Sequence, residues 1–514
     1  MTLHWLKTTT LFLAVAAPAA FAQQPGSCAD LAHFTYADVE ITKAVAAPEG
    51  TTFPNPYAPG GKSDPLPAMC QVEGIMHRRT GVGGEEFGIR FALAMPDKWN
   101  GDFLMQGGGG GNGVVLPPAG GVAAGAAPAL LRGFAVVSND TGHKSHGGAF
   151  DFGFMKDQEA YLDFAYRANA QVAVLAKAII AEHYGKATAH SYFAGCSTGG
   201  REAMILSQRF PEIFDGIISG DPAMRTGLSN LAIGQWIPVT LNQIAPKDAT
   251  GKPILTQAIT DIDRKLIGDA LLKRCDAKDG VADGMIFNPM ACDFDPEQLA
   301  CNGTNAGACL APEKAAAIKK AMAGPKTATG IQVYAAFPYD TGITTTKPFP
   351  GLLSPGPGIF GPAPTAMTID VDALAWKNVS PLVDSMSTNL TTFSQHGGKL
   401  IFYHGDSDAW FSPLDTFGYY KEMAEANGGE AKVSEWSQFY FVPGMAHCGG
   451  GPSLDQFDLL TPLVEWVEKG VAPKSVVATG KAFPGRSRPL CPYPLHAEYK
   501  GSGDIEDAKN FECR

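Results

Sequence analysis

Apolar residues in this chain gather into short uninterrupted runs and into longer stretches with helical spacing, and the two kinds alternate toward both ends of the sequence. Phe103-Leu-Met105 is a run that stops at glycines 107–111, and Gly133-Phe-Ala-Val-Val-Ser138 is another that stops at Asn139-Asp140. Runs this short and this uniformly apolar predict strands buried on both faces. Over residues 159–184 the period changes: Leu162, Ala165, Tyr166, Ala173, Ala176 and Ile180 share one helical face, with Asn169 its one polar interruption. A strand over 190–194, a glycine turn and a helix over 199–209 follow, and two later runs, 399–403 and 438–442, predict further strands. Strands alternating with helices predict an α/β fold, with a mostly parallel central sheet and helices on both faces.

Between 224 and 386 the pattern breaks. Helical stretches at 259–272 and 312–322 sit among loops rich in Gly, Pro and Thr, such as 348–364. An insertion of this size between two halves of one sheet reads as a separate lid domain, 224–386, over a domain formed by 23–223 and 387–514. Ligand sites in such sheets lie at the carboxyl ends of the strands, under lids of this kind.

Composition narrows the classes. A net charge of -11 argues against nucleic acid or an anionic membrane surface as partner. Sixty Gly and 38 Pro imply many turns, while 45% apolar residues still supply a large core. The first residues read as a signal peptide over 1–22: Lys7 closes a short basic start, 11–20 is apolar, and Ala20-Phe21-Ala22 fits the small-x-small cleavage rule. A membrane anchor needs about 20 apolar residues, so no membrane insertion is expected. The mature chain is expected to be soluble, monomeric and exported, to the periplasm or the medium. Ten cysteines in an exported chain predict about five disulfides. Cys28 with Cys70, Cys275 with Cys292, Cys301 with Cys309 and Cys491 with Cys513 are the local pairs, which leaves Cys196 with Cys448.

That remaining pair flanks the residues with the most chemistry. Gly195-Cys-Ser-Thr-Gly199 lies between a predicted strand and a predicted helix, the setting in which Gly-x-Ser-x-Gly forms a sharp turn that lifts the serine hydroxyl above the sheet. Ser197 needs a histidine to take its proton. His447, in the loop after the 438–442 strand, suits that role better than His396, His404 or His496. His404 is expected as a pocket wall or a structural residue. If Ser197 and His447 meet at about 3 Å, Cys196 and Cys448 beside them fall within the roughly 4.4–6.8 Å between Cα atoms that a disulfide needs. The acid follows the 399–403 strand, where Asp406 and Asp408 are both available. Asp408 is favoured because this loop usually extends a few residues before its acid, which makes Asp406 a loop cap. Trp410 and Phe411 just after it suit aromatic walls for a substrate ring. An oxyanion needs two N–H donors: Thr198 supplies one, and a glycine of 107–111 the other, Gly109 being the choice with Gly108 and Gly110 close behind. No Gly-Lys-Ser/Thr follows those glycines, so they do not read as a phosphate loop.

A second constellation, Cys275-Asp-Ala-Lys-Asp279-Gly-Val-Ala-Asp283-Gly284, places three carboxylates where they are able to wrap one hard cation, or simply form a solvated acidic turn. It is not an EF-hand, because the twelfth position from Asp276 is Phe287.

Taken together these residues resemble the tannase and feruloyl esterase family of α/β-hydrolases, which includes bacterial mono(2-hydroxyethyl) terephthalate hydrolases. The similarity rests on Cys196-Ser197, Asp408 and His447-Cys448, on Gln208-Arg-Phe-Pro211 and Phe214-Asp-Gly216, on the 276–285 loop, on Arg488-Pro-Leu-Cys-Pro-Tyr493 and on Tyr499-Lys-Gly-Ser-Gly-Asp504. It implies an α/β-hydrolase fold, a Cys196–Cys448 disulfide beside a serine triad, and a structural Ca2+ on Asp276, Asp279 and Asp283 with the carbonyls of Val281 and Met285. The expected activity is hydrolysis of small esters of aromatic acids, feruloyl or galloyl, with no organic cofactor. The terephthalate hydrolases of the family carry Glu after the nucleophile and an Arg in the lid; here Thr198 follows Ser197, and no Arg occurs from Lys326 to Met386. A terephthalate monoester hydrolase is therefore the second reading, and a non-catalytic binding protein on a hydrolase scaffold the third.

Overall fold

The uniformly apolar runs become neighbours in one sheet. The computed structural model describes residues 26–54, 60–303, 308–347, 350–354 and 362–514, and the expected signal sequence lies outside them. Nine strands form this sheet in the order β1-β2-β3-β5-β4-β6-β7-β8-β9. They are β1 (Val39–Ala47), β2 (Met69–Thr80), β3 (Glu86–Pro96), β4 (Phe103–Gln106), β5 (Ala135–Asn139), β6 (Ser191–Cys196), β7 (Gly216–Gly220), β8 (Lys399–Gly405) and β9 (Ser437–Val442). β1, β2, β3 and β5 pair antiparallel in turn, and every pairing from β5 through β4 to β9 is parallel. The antiparallel β1–β3 and the short β7 are absent from the sequence reading. β7, Gly-Ile-Ile-Ser-Gly, is too short to show a period, and β1 alternates partly and fully exposed residues instead of presenting a core face.

Successive residues of the parallel strands feed opposite faces, as a two-residue period requires. Phe103, Met105, Phe193 and Phe402 pack on one face with the helix α2, while Leu104, Tyr192, Ala194, Ile218 and Ile401 pack on the other. The predicted 159–184 helix is three pieces: α1 (Gln158–Leu162), a π-helical turn (Asp163–Arg167) and α2 (Ala168–Tyr184). The 199–209 helix is α3 (Thr198–Arg209). In the inserted segment, α4 (Thr226–Leu231) runs on through a π-helical turn (Ala232–Trp236) into a short helix (Ile237–Asn242), and α5 (Asp261–Cys275) and α6 (Pro312–Met322) follow. A third hydrophobic cluster is built from residues between 228 and 353, with Ala409 leaning on it.

All five disulfides pair as expected: Cys28–Cys70, Cys196–Cys448, Cys275–Cys292, Cys301–Cys309 and Cys491–Cys513. No helix among the described residues is long and apolar enough to cross a membrane. The strand order reverses at β4, which sends the chain to β5 on one side and β6 on the other. Such a reversal opens a crevice at the carboxyl ends of the strands. The glycine run after β4 and the Ser197 turn after β6 meet there.

Candidate active site

Ser197 takes φ 64° and ψ -121°, a conformation costly for a residue with a Cβ. Its surroundings hold it there: Ser197 N–H donates to Gly220 O at 3.0 Å, and its carbonyl accepts from Ala223 N–H at 3.0 Å. The motif glycines are needed for contact. A Cβ on Gly195 would sit 2.5 Å from the backbone of Gly199, and one on Gly199 2.8 Å from Gly108 O.

The Cys196–Cys448 disulfide, with Cα atoms 6.0 Å apart across 252 residues of sequence, draws the His447 loop to this turn. His447 Nδ1 lies 2.7 Å from Asp408 Oδ2. Asp408 is fully buried; its Oδ1 accepts from Trp410 and Phe411 N–H at 2.7 and 3.1 Å, and His404 Nε2 lies 3.3 Å from Oδ2. Burial alone would raise the Asp408 carboxyl, but the His447 charge and these hydrogen bonds hold it well below the usual carboxylate range. Burial pulls His447 down, and Asp408 more than reverses this, so the imidazole ends above its ordinary value. Among the described residues His447 bonds Asp408 and makes no direct hydrogen bond to Ser197 Oγ, a link that in catalytic sites commonly tightens only in the substrate complex.

Two expectations for the neighbours of Asp408 are corrected. His404 is completely buried beneath the acid, its Nδ1 3.1 Å from Thr416 Oγ1 and its Nε2 3.1 Å from Phe411 O, so it walls no pocket. Asp406 caps nothing: it is buried, neither carboxylate oxygen has a hydrogen-bond partner among the described residues, and burial with Asp340 and Asp221 nearby pushes its carboxyl far up. Asp221 itself was not anticipated. It follows β7 at φ 36°, accepts from Gly405 N–H at 2.9 Å and lies 3.5 Å from Cys196 Sγ, tying the β8 end to the disulfide.

The glycine run curls against α3. Gly107 N–H donates to Ala194 O at 3.0 Å, Gly108 N–H to Glu202 Oε2 at 3.0 Å and Gly111 N–H to Ala149 O at 2.8 Å. That removes Gly108 as a free donor and leaves Gly109 and Gly110. Gly108 O accepts from Gly199 N–H at 3.1 Å, and in a planar trans peptide the Gly109 N–H must then point the opposite way, off α3. Around Gly109 a Cβ would meet nothing within 4 Å. Thr198 N–H has no partner among the described residues, and Thr198 Oγ1 donates to Gly110 O at 2.5 Å.

Over Ser197 lies a cleft walled by Phe150, Phe152, Trp410 and Phe411, with Ala223 and Ile233, and with Thr226 and Asn230 as its neutral polar groups. Trp410 stacks on the His447 ring at 4.6 Å, and Phe411 lies 5.3 Å from it. Ser229 Oγ donates to Trp410 O, which links α4 of the insertion to the wall. No Lys or Arg lines this cleft among the described residues. A buried hydrolytic constellation beneath an apolar aromatic cleft suits an uncharged ring carrying an acyl group.

Comparison with known proteins agrees with this geometry. The model of the tannase and feruloyl esterase family matches residues 70–354 and 365–514. The chain belongs to the tannase and feruloyl esterase family. It is 39% identical to the mono(2-hydroxyethyl) terephthalate hydrolase of Piscinibacter sakaiensis, over 87% of this chain and 85% of that one. It is 29% identical to a probable feruloyl esterase of Arthroderma benhamiae, over 90% and 87%. The crystal structure of feruloyl esterase B from Aspergillus oryzae superposes with a TM-score of 0.75 at 25% identity, covering 95% of this chain and 99% of that one. This family member is a carboxylic ester hydrolase on an α/β-hydrolase-like fold.

Ca2+ is the ion implied by the esterase's family resemblance, and the 276–285 loop fits it chemically. Asp276 accepts from Asp283 and Gly284 N–H at 3.0 and 2.9 Å, and Asp279 from Phe287 N–H at 3.0 Å. Burial, then the neighbouring Asp283 and Asp276, lifts Asp279 to about 7, and burial also raises Asp276. Arg488, fully buried, pairs with Asp283, and Arg486 donates to the Asp283 carbonyl at 2.8 Å, so the positive charge answers only one of the three carboxylates. Hard oxygen donors repelling one another in one turn are the donor set a divalent cation neutralises.

Proposed function

We propose that this esterase is an exported serine hydrolase that cleaves esters of aromatic acids through an acyl-enzyme. The observation that carries the reading is the 2.7 Å contact of His447 Nδ1 with buried, ionised Asp408, on a loop disulfide-linked to the strained Ser197 turn. With Nδ1–H held by Asp408, Nε2 is the free base; it takes the proton of Ser197 Oγ as that oxygen attacks the ester carbonyl. The carbonyl oxygen becomes negative and is met by the N–H groups of Thr198 and Gly109. His447 returns the proton to the leaving alcohol, then activates a water that releases the acid. Trp410 and Phe411 hold the aromatic ring of the acyl group. The five disulfides support an oxidising destination. In the insertion, Ca2+ would be held by the carboxylates of Asp276, Asp279 and Asp283 with the carbonyls of Val281 and Met285. Its charge would neutralise the loop, and no catalytic step passes through it.

Ser197→Ala is expected to abolish hydrolysis of methyl ferulate and of a p-nitrophenyl ester while leaving the circular dichroism spectrum unchanged; retained turnover would sink the assignment. The terephthalate monoester reading draws on the 39% identity to the Piscinibacter enzyme. Against it stand Thr198 and a cleft without a cationic wall to hold a free carboxylate. Comparing kcat/KM on methyl ferulate and on mono(2-hydroxyethyl) terephthalate separates the two. A protein that no fluorophosphonate labels at Ser197 would instead be a binding module.

A further inference from the structure

Glu202 lies in the second turn of α3, five residues after Ser197, and is fully buried, yet it never reaches the cleft. Its carboxylate gathers three donors. Oε2 accepts from Gly108 N–H at 3.0 Å, Oε1 from Asn112 Nδ2 at 2.6 Å, and Asn169 adds a third hydrogen bond. Asn169 in turn accepts from Asn139 Nδ2 at 2.7 Å. Burial pushes the Glu202 carboxyl up, and the charge of Arg201, also fully buried, opposes that; the Arg201 guanidinium donates to Ala165 O at 2.9 Å and Phe164 O at 3.0 Å and lies 4.6 Å over the Phe164 ring. Both carbonyls belong to the π-helical turn, where the widened hydrogen-bond pattern makes backbone oxygens accessible to an outside donor.

We propose that Glu202 is a positioning residue that sets the orientation of the oxyanion-binding loop, an inference that rests on the triad reading above. The geometry of Gly108 decides this. Its N–H is fixed by Glu202 and its C=O by Gly199 N–H, so the peptide planes on both sides of its Cα are pinned. Glycine has little intrinsic preference to hold either plane. Freed from Glu202, the 107–108 peptide can rotate, and the adjoining 108–109 peptide that carries the Gly109 N–H is left with the Gly199 bond as its anchor, so that N–H is aimed less firmly. A carboxylate is required because all three groups facing it are donors. Glutamine offers one acceptor oxygen and turns an NH2 toward at least one of them. In a buried site such charge-assisted bonds are strong and leave the loop set before substrate arrives.

Glu202→Gln is nearly isosteric and tests this directly. Removing an oxyanion donor outright costs about 10^2–10^3 in kcat, so misdirecting one is expected to lower kcat on methyl ferulate by about 10–100-fold. KM and the affinity for the product ferulate should stay within about twofold. Fluorophosphonate inactivation, which builds negative charge on the same oxygen, should slow in parallel with kcat. Glu202→Asp, too short to reach all three donors, should recover less than half of the loss. Asn112→Gly, which suits the φ of 51° there and removes one donor, should lower kcat in the same direction and keeps the proposal testable if the Glu202 variants do not fold. A folded Glu202→Gln enzyme with wild-type kcat, or one in which kcat falls only in proportion to titratable active sites, overturns the proposal and leaves the triad standing. A wild-type enzyme that hydrolyses neither ester overturns both.

Discussion

Asp406 and Asp408 stand two residues apart in one turn, and their surroundings drive them in opposite directions. Asp408 meets two backbone N–H groups and two imidazoles, and its carboxyl is held well below the usual range; Asp406 meets burial and the carboxyls of Asp340 and Asp221, and its carboxyl is pushed far up. Titratable groups pushed apart in this way mark the acid and base assignments of a site. In the proposed triad His447 must be neutral to accept the serine proton, and Asp408 holds its pKa above the ordinary 6.5. Activity should therefore fall as pH drops through that raised value, giving kcat/KM a rising limb above pH 6.5. In Asp408→Asn the charge that raises His447 is gone, so the limb should move to lower pH while the plateau falls by about 10^4-fold. A pH profile of both proteins measures this, and an unmoved limb would assign the acid elsewhere. Glu202 and Asp221 have partners far away in sequence, in the glycine loop and on α2 for Glu202 and at the ends of β6 and β8 for Asp221, and no local pattern announces them. The one hint was Asn169, a polar residue on an apolar helical face, which proves to feed the Glu202 carboxylate.

At the scale of elements, the site is an assembly of strand ends: the glycine loop of β4, the Ser197 turn of β6, the Asp221 turn of β7, the acid after β8 and the histidine loop after β9. Four of them depend on backbone geometry, and the fifth, the His447 loop, is tied by a covalent bond. A Cβ on Gly405 would lie 2.4 Å from Met445 O, so the β8 end and the histidine loop pack at glycine distance. Cys448→Ala should lose activity before it loses the fold. A misplacement of about 1 Å costs on the order of 10^2 in rate, and a fall in kcat/KM of at least tenfold is expected at 25 °C with the far-UV spectrum intact. Normal turnover in that variant would reduce the bridge to a stabilising link. The strand-and-helix reading located β4, β5, β6, β8, β9 and α3 within a few residues. It missed the π-turn between α1 and α2, since a helical period looks the same with one residue inserted.

For the whole molecule, the insertion contributes to the cleft through α4 and Ile233, and its acidic loop packs against Arg486 and Arg488. If Ca2+ neutralises Asp276, Asp279 and Asp283, binding stabilises the folded state by mass action. Removing divalent ions with EDTA should lower the melting temperature by a few degrees, restored by Ca2+, while kcat at 25 °C changes less than about twofold. Calorimetry checks this, and an identical melting temperature in EDTA and in Ca2+ would dismiss the ion. That no Lys or Arg among the described residues lines the cleft is likewise a property of the assembled molecule, because α4, the 150–152 segment and Trp410-Phe411 meet only after folding.

By itself the sequence determined the sheet's parallel half, the glycine turn at Ser197 between a strand and a helix, and all five disulfide pairings. These depend on local signals: short apolar runs, glycines that permit one backbone shape, and cysteines close in sequence that leave a single distant pair. The tertiary structure alone decided which glycine N–H groups remain free, that His404 lies buried under Asp408, and that burial drives the Asp406 carboxyl upward. It also decided that Glu202 reaches back across about 90 residues of chain to fix the glycine loop. Burial, charge environment and hydrogen-bond occupancy are properties of neighbours in space, and no local pattern of hydrophobic and polar positions encodes them.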